Sequence, residues 1–269
     1  MLALIGWPSA VAQADTVDDD DMPGKTVSAK GLADPNMESW IGAEGFRNVW
    51  SLYSGATVAP FGSLRDNGLR LRVTGGMSGY RYTAQWFNPA TLRTEPLAIR
   101  GRSAYGDVLA GYHQQNGAVT LKVFAGVTWL KHQLGPADGA LADPADFNTN
   151  LNAAHWGGKV AAELWWNVGK RAWTSLDLAF ASPHLMTSAR SRIGWRLAPA
   201  WSLGPEASVV GYRDRDAILD RRVLAVTSKL GAFLRYDNGQ DEIAISGGWL
   251  APRGGEGSVY LAGQWLTRF

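Results

Sequence analysis

The sequence predicts an all-β protein: a transmembrane, antiparallel up-and-down β-barrel of about 12 strands. Three observations carry this. From about residue 38 onward, segments of roughly ten to fifteen residues alternate apolar with polar side chains. Tight turns and longer polar connections succeed one another along the chain, the two-beat rhythm of membrane barrels, which keep short turns on one side and longer loops on the other. Aromatic residues, with 13 Trp in 269 residues, gather near the segment ends, where amphipathic rings meet lipid headgroups in such a barrel.

Composition narrows the class. A hydrophobic content of 46% with 19% charged residues excludes a disordered chain. The net charge of +2 is too small to argue for nucleic acid, and the basic residues alternate through strands instead of lining one face. The absence of Cys removes thiol nucleophiles and Cys-ligated metals. No run of about 18 apolar residues exists, so no helix is expected to span a membrane.

Residues 1–14 read as a secretory signal peptide, with an apolar segment from Leu2 to Trp7 and a small-x-small end at Ala12-Gln13-Ala14, although a basic n-region is lacking. Residues 15–37, with the acidic run Asp18 to Asp21, read as a flexible periplasmic lead-in. The barrel is expected over 38–269.

The first strand, 39–46, holds Trp40-Ile-Gly-Ala-Glu-Gly-Phe46 and is required by parity. With the C-terminus in the periplasm, counting back makes 50–60 descend, so a rising strand must precede it, and an even number is expected. Strand 68–83 follows the turn Asp66-Asn67-Gly68. Strands 96–113 and 118–132 flank Gln115-Asn116-Gly117, where Asn-Gly supplies the positive φ of a tight hairpin. Strands 154–167 and 171–182 flank Asn167-Val168-Gly169-Lys170; 186–198 and 201–213 flank Leu197-Ala198-Pro199-Ala200; 222–236 and 241–251 flank Asp237-Asn238-Gly239. Strand 257–269 closes the barrel. The longer connections, 87–94, 134–150, 214–221 and 252–256, with the short 182–184, fall between these pairs.

Side chains on a strand change face at every residue, so each strand offers an apolar file and a polar one. Val119, Leu121, Val123, Ala125, Val127 and Trp129 make one unbroken apolar file; Ile193, Trp195 and Leu197 make another, as do Ile243, Ile245 and Trp249. In the last strand Val259, Leu261, Trp265 and Phe269 oppose Ser258, Tyr260, Gln264 and Arg268. A soluble sandwich would bury the apolar file, whereas a membrane barrel turns it to lipid. The aromatic positions favour lipid: Trp50, Tyr82, Trp86, Tyr112, Trp129, Trp156, Trp166, Trp173, Trp201, Tyr236 and Trp249 form two girdles, with Tyr82 and Trp173 out of step with the apolar file.

The polar file then lines the lumen. It holds Arg70, Arg72, Lys122, Lys159, Arg190, Arg192, Arg196, Lys229 and Arg235, against Asp107, Glu163, Asp177, Glu206 and Glu242. Twelve strands at about 4.8 Å spacing and about 40° tilt give a backbone cylinder roughly 24 Å across, which side chains largely fill. The charges either pair into a rigidifying network or line a basic conduit.

Catalytic and metal chemistry find little support. Of His113, His132, His155 and His184, no pair has helical metal spacing, although His132 and His155 flank the long loop near one rim. An outer-membrane lipid hydrolase would need a serine with a base in reach, and His184 with Ser182 or Ser188 is the only rim cluster of that type, without a lipase-like motif. No cofactor and no catalytic residue are expected.

One ordered set of short pieces narrows the family. Tyr53-Ser-Gly-Ala-Thr-Val-Ala-Pro-Phe-Gly62 is followed by Gly68-Leu-Arg-Leu-Arg72, Gly79-Tyr-Arg-Tyr82, Gly106-Asp-Val-Leu-Ala-Gly-Tyr112 and Leu121-Lys-Val-Phe-Ala-Gly126. Trp156-Gly-Gly-Lys159, Glu163-Leu-Trp165 and Ala172-Trp-Thr-Ser-Leu-Asp177 come later. Together they resemble the cellulose biosynthesis protein BcsS family over about residues 38–269. The resemblance implies a bacterial outer-membrane barrel encoded with cellulose-synthesis components, acting as conduit, anchor or assembly partner, with no catalytic residues to carry over. Its partners would be outer-membrane lipid, cellulose or another glucan, and further export components. Glucans present flat apolar sugar faces, so Tyr80, Tyr105, Phe124, Trp165, Tyr212, Phe233 and Tyr260 on the polar face or upper rim are the candidate glucan-facing aromatics, unless they simply fill the lumen. The alternative to a cellulose role is a small porin-like channel preferring anions, from the basic excess in the lumen.

Overall fold

Twelve strands, each hydrogen-bonded to its sequence neighbours, close on themselves because the first pairs with the last. The computed structural model describes residues 34–88, 92–137, 153–216, 221–253 and 255–269. The signal-peptide reading, the lead-in up to residue 33 and the centre of the 134–150 connection lie outside the described residues. The strands are β1 (Met37–Phe46), β2 (Val49–Val58), β3 (Gly68–Asn88), β4 (Arg93–Asn116), β5 (Val119–Pro136), β6 (Ala154–Val168), β7 (Ala172–Ala181), β8 (Met186–Ala198), β9 (Trp201–Asp216), β10 (Arg221–Asp237), β11 (Asp241–Pro252) and β12 (Ser258–Arg268). Every strand expected from the sequence is present, and several run further than the alternation indicated.

The seam is fully bonded. β1 and β12 run antiparallel with Trp40 opposite Leu266, and the Phe269 N–H donates to the Met37 carbonyl at 2.8 Å. No strand edge is left at the closure, which removes the unpaired N–H and C=O groups that a bilayer would not tolerate.

Burial alternates residue by residue and in the expected sense. On β5, Val127 is 53% exposed and its neighbour Thr128 only 1%. On β12, Val259, Leu261, Trp265 and Phe269 are all exposed while Tyr260, Gln264 and Arg268 are buried inside. The exposed apolar side chains occupy every strand and wrap the whole barrel, far beyond the few hundred Å² that a water-soluble monomer leaves uncovered. That surface is complementary to hydrocarbon, so the fold is a transmembrane barrel.

Two connections depart from the expected rhythm. β1 and β2 are joined on the loop side by only Arg47 and Asn48, with Asn48 at φ 61 in the left-handed region that Asn tolerates. On the turn side, β2 and β3 are joined by residues 59–67, so Asp66-Asn67-Gly68 is the end of a longer connection, not a tight hairpin. That connection is tied to the segment before β1: Ala59 N–H donates to the Asn36 carbonyl at 2.8 Å and Leu64 N–H to the Pro35 carbonyl at 2.7 Å.

Two of the aromatics expected in the girdle lie inside instead. Trp173 has no exposed surface; it lies inside, against Trp165. Its ring covers Gly194, its register partner on β8, where a Cβ would stand 2.2 Å from the ring. A backbone lacking Cβ lets the indole lie flat on the inner wall. Tyr82 shares the inward parity of Tyr80, with its ring stacked beside that of Tyr80 at 6.2 Å, so it also leaves the girdle. The side chain of Trp86 lies outside the described residues. Trp50, Tyr112, Trp156, Trp166, Trp201 and Trp249 are exposed on the outer face.

Candidate functional site

The barrel interior is a set of stacked polar and aromatic layers, built because every second residue of every strand must point inward. Nearest the turn side, Arg70 folds back over the 59–67 connection. Its Nη2 donates to the carbonyls of Ser63 at 3.1 Å, Leu64 at 3.0 Å and Asp66 at 2.5 Å, and lies 2.8 Å from His113 Nδ1. One guanidinium thus fastens a nine-residue connection beneath the lumen, the count running from Ala59 to Asn67.

Beside it, Trp165 and Trp173 stack at 4.1 Å between centroids and 18° between planes, with Phe233 5.3 Å from Trp173. Arg235 sits against both indoles, 5.0 and 5.4 Å from their centres, and bonds Glu242 at 2.9 Å and Asp237 at 2.6 Å. Arg268 from the closing strand reaches the same Glu242 at 3.4 Å. Arg196 bonds Asn167 Oδ1 at 2.5 Å and the carbonyls of Lys170 and Ala172 at 3.3 Å, so it secures the β6–β7 turn and does not join the acid pairs.

The next layer crosses the lumen. Arg72 on β3 bonds Glu163 on β6 through both nitrogens, its Nε donates to Thr57 at 3.0 Å, and its guanidinium lies 3.7 Å from the centre of the Phe124 ring. Lys122 on β5 faces Glu38 on β1 at 3.8 Å. Asp177 stands in register between Glu163 on β6 and Arg190 on β8. Above these, Asp107 receives Lys159 Nζ at 2.7 Å and the Thr74 hydroxyl at 2.5 Å.

On the opposite wall, Glu206 accepts from Arg190 at 3.0 Å and from Arg192, and the Tyr260 hydroxyl reaches it at 3.4 Å. Lys229 pairs with Glu44. Among Glu44, Arg190, Arg192, Glu206 and Lys229 lies a cavity of about 50 Å³, room for water and little else. Toward the loop side, Tyr105, Leu130, Met186, Val210 and Tyr212 form an apolar cluster.

The charged residues and the candidate glucan-facing aromatics singled out in the sequence therefore occupy the interior, and the ion pairs join most of the charges. Glu38 and Glu44 were missed. The even positions of β1 (Glu38, Trp40, Gly42, Glu44, Phe46) carry the alternation that would have revealed them. They lie opposite Lys122 and Lys229, so part of the apparent basic excess is neutralised in place.

Three histidines meet at the loop-side mouth. His184, in a 3-10 turn at Pro183–Leu185, has ring contacts to His155 at 4.9 Å and to His132 at 5.4 Å, both edge-on at 76°. Ser182 Oγ accepts from the Gly158 N–H at 2.9 Å. Among the described residues no group of three metal-binding side chains has its donors arranged around one point.

An ion-paired interior inside an apolar, fully closed sheet defines a transmembrane β-barrel of the bacterial outer-membrane type. Residues 39–269 match the family described as cellulose biosynthesis protein BcsS. The chain belongs to that family, and the match assigns it to cellulose biosynthesis. No curated protein matches the sequence. Among solved structures, the KdgM porin is similar at 9% identity and TM-score 0.43, covering 86% of this chain and 99% of its own. The transport unit of the autotransporter AIDA-I from Escherichia coli is similar at 12% identity and TM-score 0.47, covering 90% and 92%. LpxR from Salmonella typhimurium is similar at 8% identity and TM-score 0.48, covering 86% and 100%.

Proposed function

We propose that this protein serves bacterial cellulose biosynthesis as a sealed outer-membrane barrel, an anchor and assembly partner on the outer surface, and not as the pore through which glucan leaves. Its export would use the apolar segment within residues 1–14 as a signal peptide. The observation that carries the reading is the Arg72–Glu163 pair, both residues less than 5% exposed, which bridges the interior between strands three apart in the ring of twelve. A chain of sugar rings passing through would have to part this pair together with Lys122–Glu38 and the Glu206 cluster. Separating buried, hydrogen-bonded charges costs several kcal/mol each. An anion channel would need Arg190, Arg192 and Lys229 available to the permeant ion, whereas Glu206 and Glu44 hold them.

Two measurements test this. The purified barrel in a planar bilayer is expected to give no steady conductance; a stable open channel would overturn the sealed reading. Deletion of the gene is expected to change the amount or the architecture of secreted cellulose, with restoration by the intact gene. Unchanged cellulose in the deletion strain would remove the cellulose role.

A further inference from the structure

The shortest hairpin of the barrel stands beside one of the tallest. β2 begins at Val49 opposite Tyr80, and the Arg81 N–H still donates to the Asn48 carbonyl at 3.0 Å; among the described residues β3 beyond Arg81 is laddered only on its β4 side. The eight residues of β3 after Tyr80, 81–88, extend the wall by about 26 Å along the strand, at about 3.3 Å per residue. On the other side, β11 runs up to Pro252 before the connection to β12. The Arg47-Asn48 turn is therefore the floor of a notch in the loop-side rim.

A cleft of about 270 Å³ occupies this notch. Its inner wall is apolar and aromatic: Phe46, Tyr80, Tyr82 and Leu250 all line it. Tyr80 is held in place because Gly101 on β4 lies beneath its ring, where a Cβ would stand 2.1 Å from it. Tyr82 stacks beside Tyr80 with 17° between planes. The outer lip is polar and exposed, formed by Arg47 and Glu256 bonded at 2.8 Å. Below the cleft the Lys229–Glu44 pair marks the start of the ion-paired interior.

We propose that this notch binds a β-linked glucan segment lying across the barrel rim. The proposal rests on the cellulose reading above. An aromatic wall with a hydrogen-bonding lip suits a ligand with apolar faces and hydroxyl edges, which describes a pyranose ring. An acyl chain would instead approach laterally through the bilayer, along the outer face, and this cleft opens among the loops. The volume lies near the lower end of small-ligand sites, roughly 300 Å³, enough for a short stretch of sugar with the polymer continuing at both sides. A closed rim would admit only a chain end. A notch admits the middle of a chain, so the glucan need not enter the lumen at all.

The test is binding of cellohexaose to the full-length barrel in detergent, followed by calorimetry, with maltohexaose as the second probe. Wild type is expected to bind cellohexaose and to discriminate against maltohexaose. Tyr82→Ala and Phe46→Ala are expected to weaken binding about tenfold each, the loss of one aromatic stacking contact. His155→Ala, at the mouth but outside the cleft, is expected to bind as wild type. Heat-modifiable gel migration verifies that each variant is folded. No binding by wild type, equal binding of both hexaoses, or equal binding by the folded Tyr82→Ala and Phe46→Ala variants overturns the proposal. If cellohexaose does not bind but the deletion still alters secreted cellulose, the notch assignment falls while the cellulose role stands.

Discussion

Arg72 on β3 and Glu163 on β6 meet side-on across the barrel interior, with the Arg72 guanidinium resting on the face of Phe124. Both side chains are removed from water, so deleting either one leaves the other charge buried without its bidentate partner. Arg72→Ala or Glu163→Gln is therefore expected to destabilise the folded barrel by about 3–5 kcal/mol, whereas the apolar double replacement Arg72→Met with Glu163→Leu recovers much of the loss. Urea titration of the detergent-solubilised barrel, following Trp fluorescence, measures both.

The Trp173–Gly194 contact makes a second expectation. Gly194→Val places methyl groups where the indole lies, since even a Cβ would be 2.2 Å from the ring. Overpacking of this kind costs about 1–3 kcal/mol. It also pushes Trp173 off Trp165, so the circular-dichroism couplet from the stacked indoles should disappear. A retained couplet with unchanged stability would contradict the flat-lying indole.

The outer face is expected to respond to depth. Val127 lies mid-strand on β5, while Val259 stands near the loop-side end of β12. Arg in place of Val127 should cost about 2–4 kcal/mol in a bilayer and Arg in place of Val259 only about 0–1 kcal/mol. Equal costs at the two sites, measured by unfolding from vesicles, would be inconsistent with a membrane slab around the barrel's waist.

Arg70 fastens the 59–67 connection through three carbonyls. Arg70→Ala is expected to leave the strands intact but raise the rate of proteolytic nicking between Ala59 and Asn67 several-fold in the folded protein. Mapping of fragments by mass spectrometry checks this, and an unchanged rate would show that the segment is held by the Ala59 and Leu64 backbone bonds alone.

The strands and their facing were legible because lipid on one side and a packed lumen on the other impose a strict two-residue period. That period put Tyr260 and Gln264 inside and Leu261 and Trp265 outside without any tertiary information. It fails where a local contact overrides the composition of a position. Trp173 looks like a girdle residue by type, but its parity is inward and a glycine across the β7–β8 ladder makes space for it. Glu38 and Glu44 escaped notice because β1 is short and glycine-containing, so its polar file is interrupted at Gly42. The notch was not legible at all. It arises from the relative heights of β1–β2 and β3–β4, and strand ends are set by register between chains of hydrogen bonds, which alternation does not encode.

The low β1–β2 wall has a consequence for the surrounding bilayer. Strands of ten residues, as in β1 and β2, only just match the nine to eleven or so that a tilted strand needs to cross hydrocarbon. Lipid beside that hairpin meets a wall with no residue to spare, while the longer β3–β4 and β4–β5 pairs rise well past the hydrocarbon. A bilayer thicker than β1 and β2 can span would therefore place its mismatch on one flank of the barrel only.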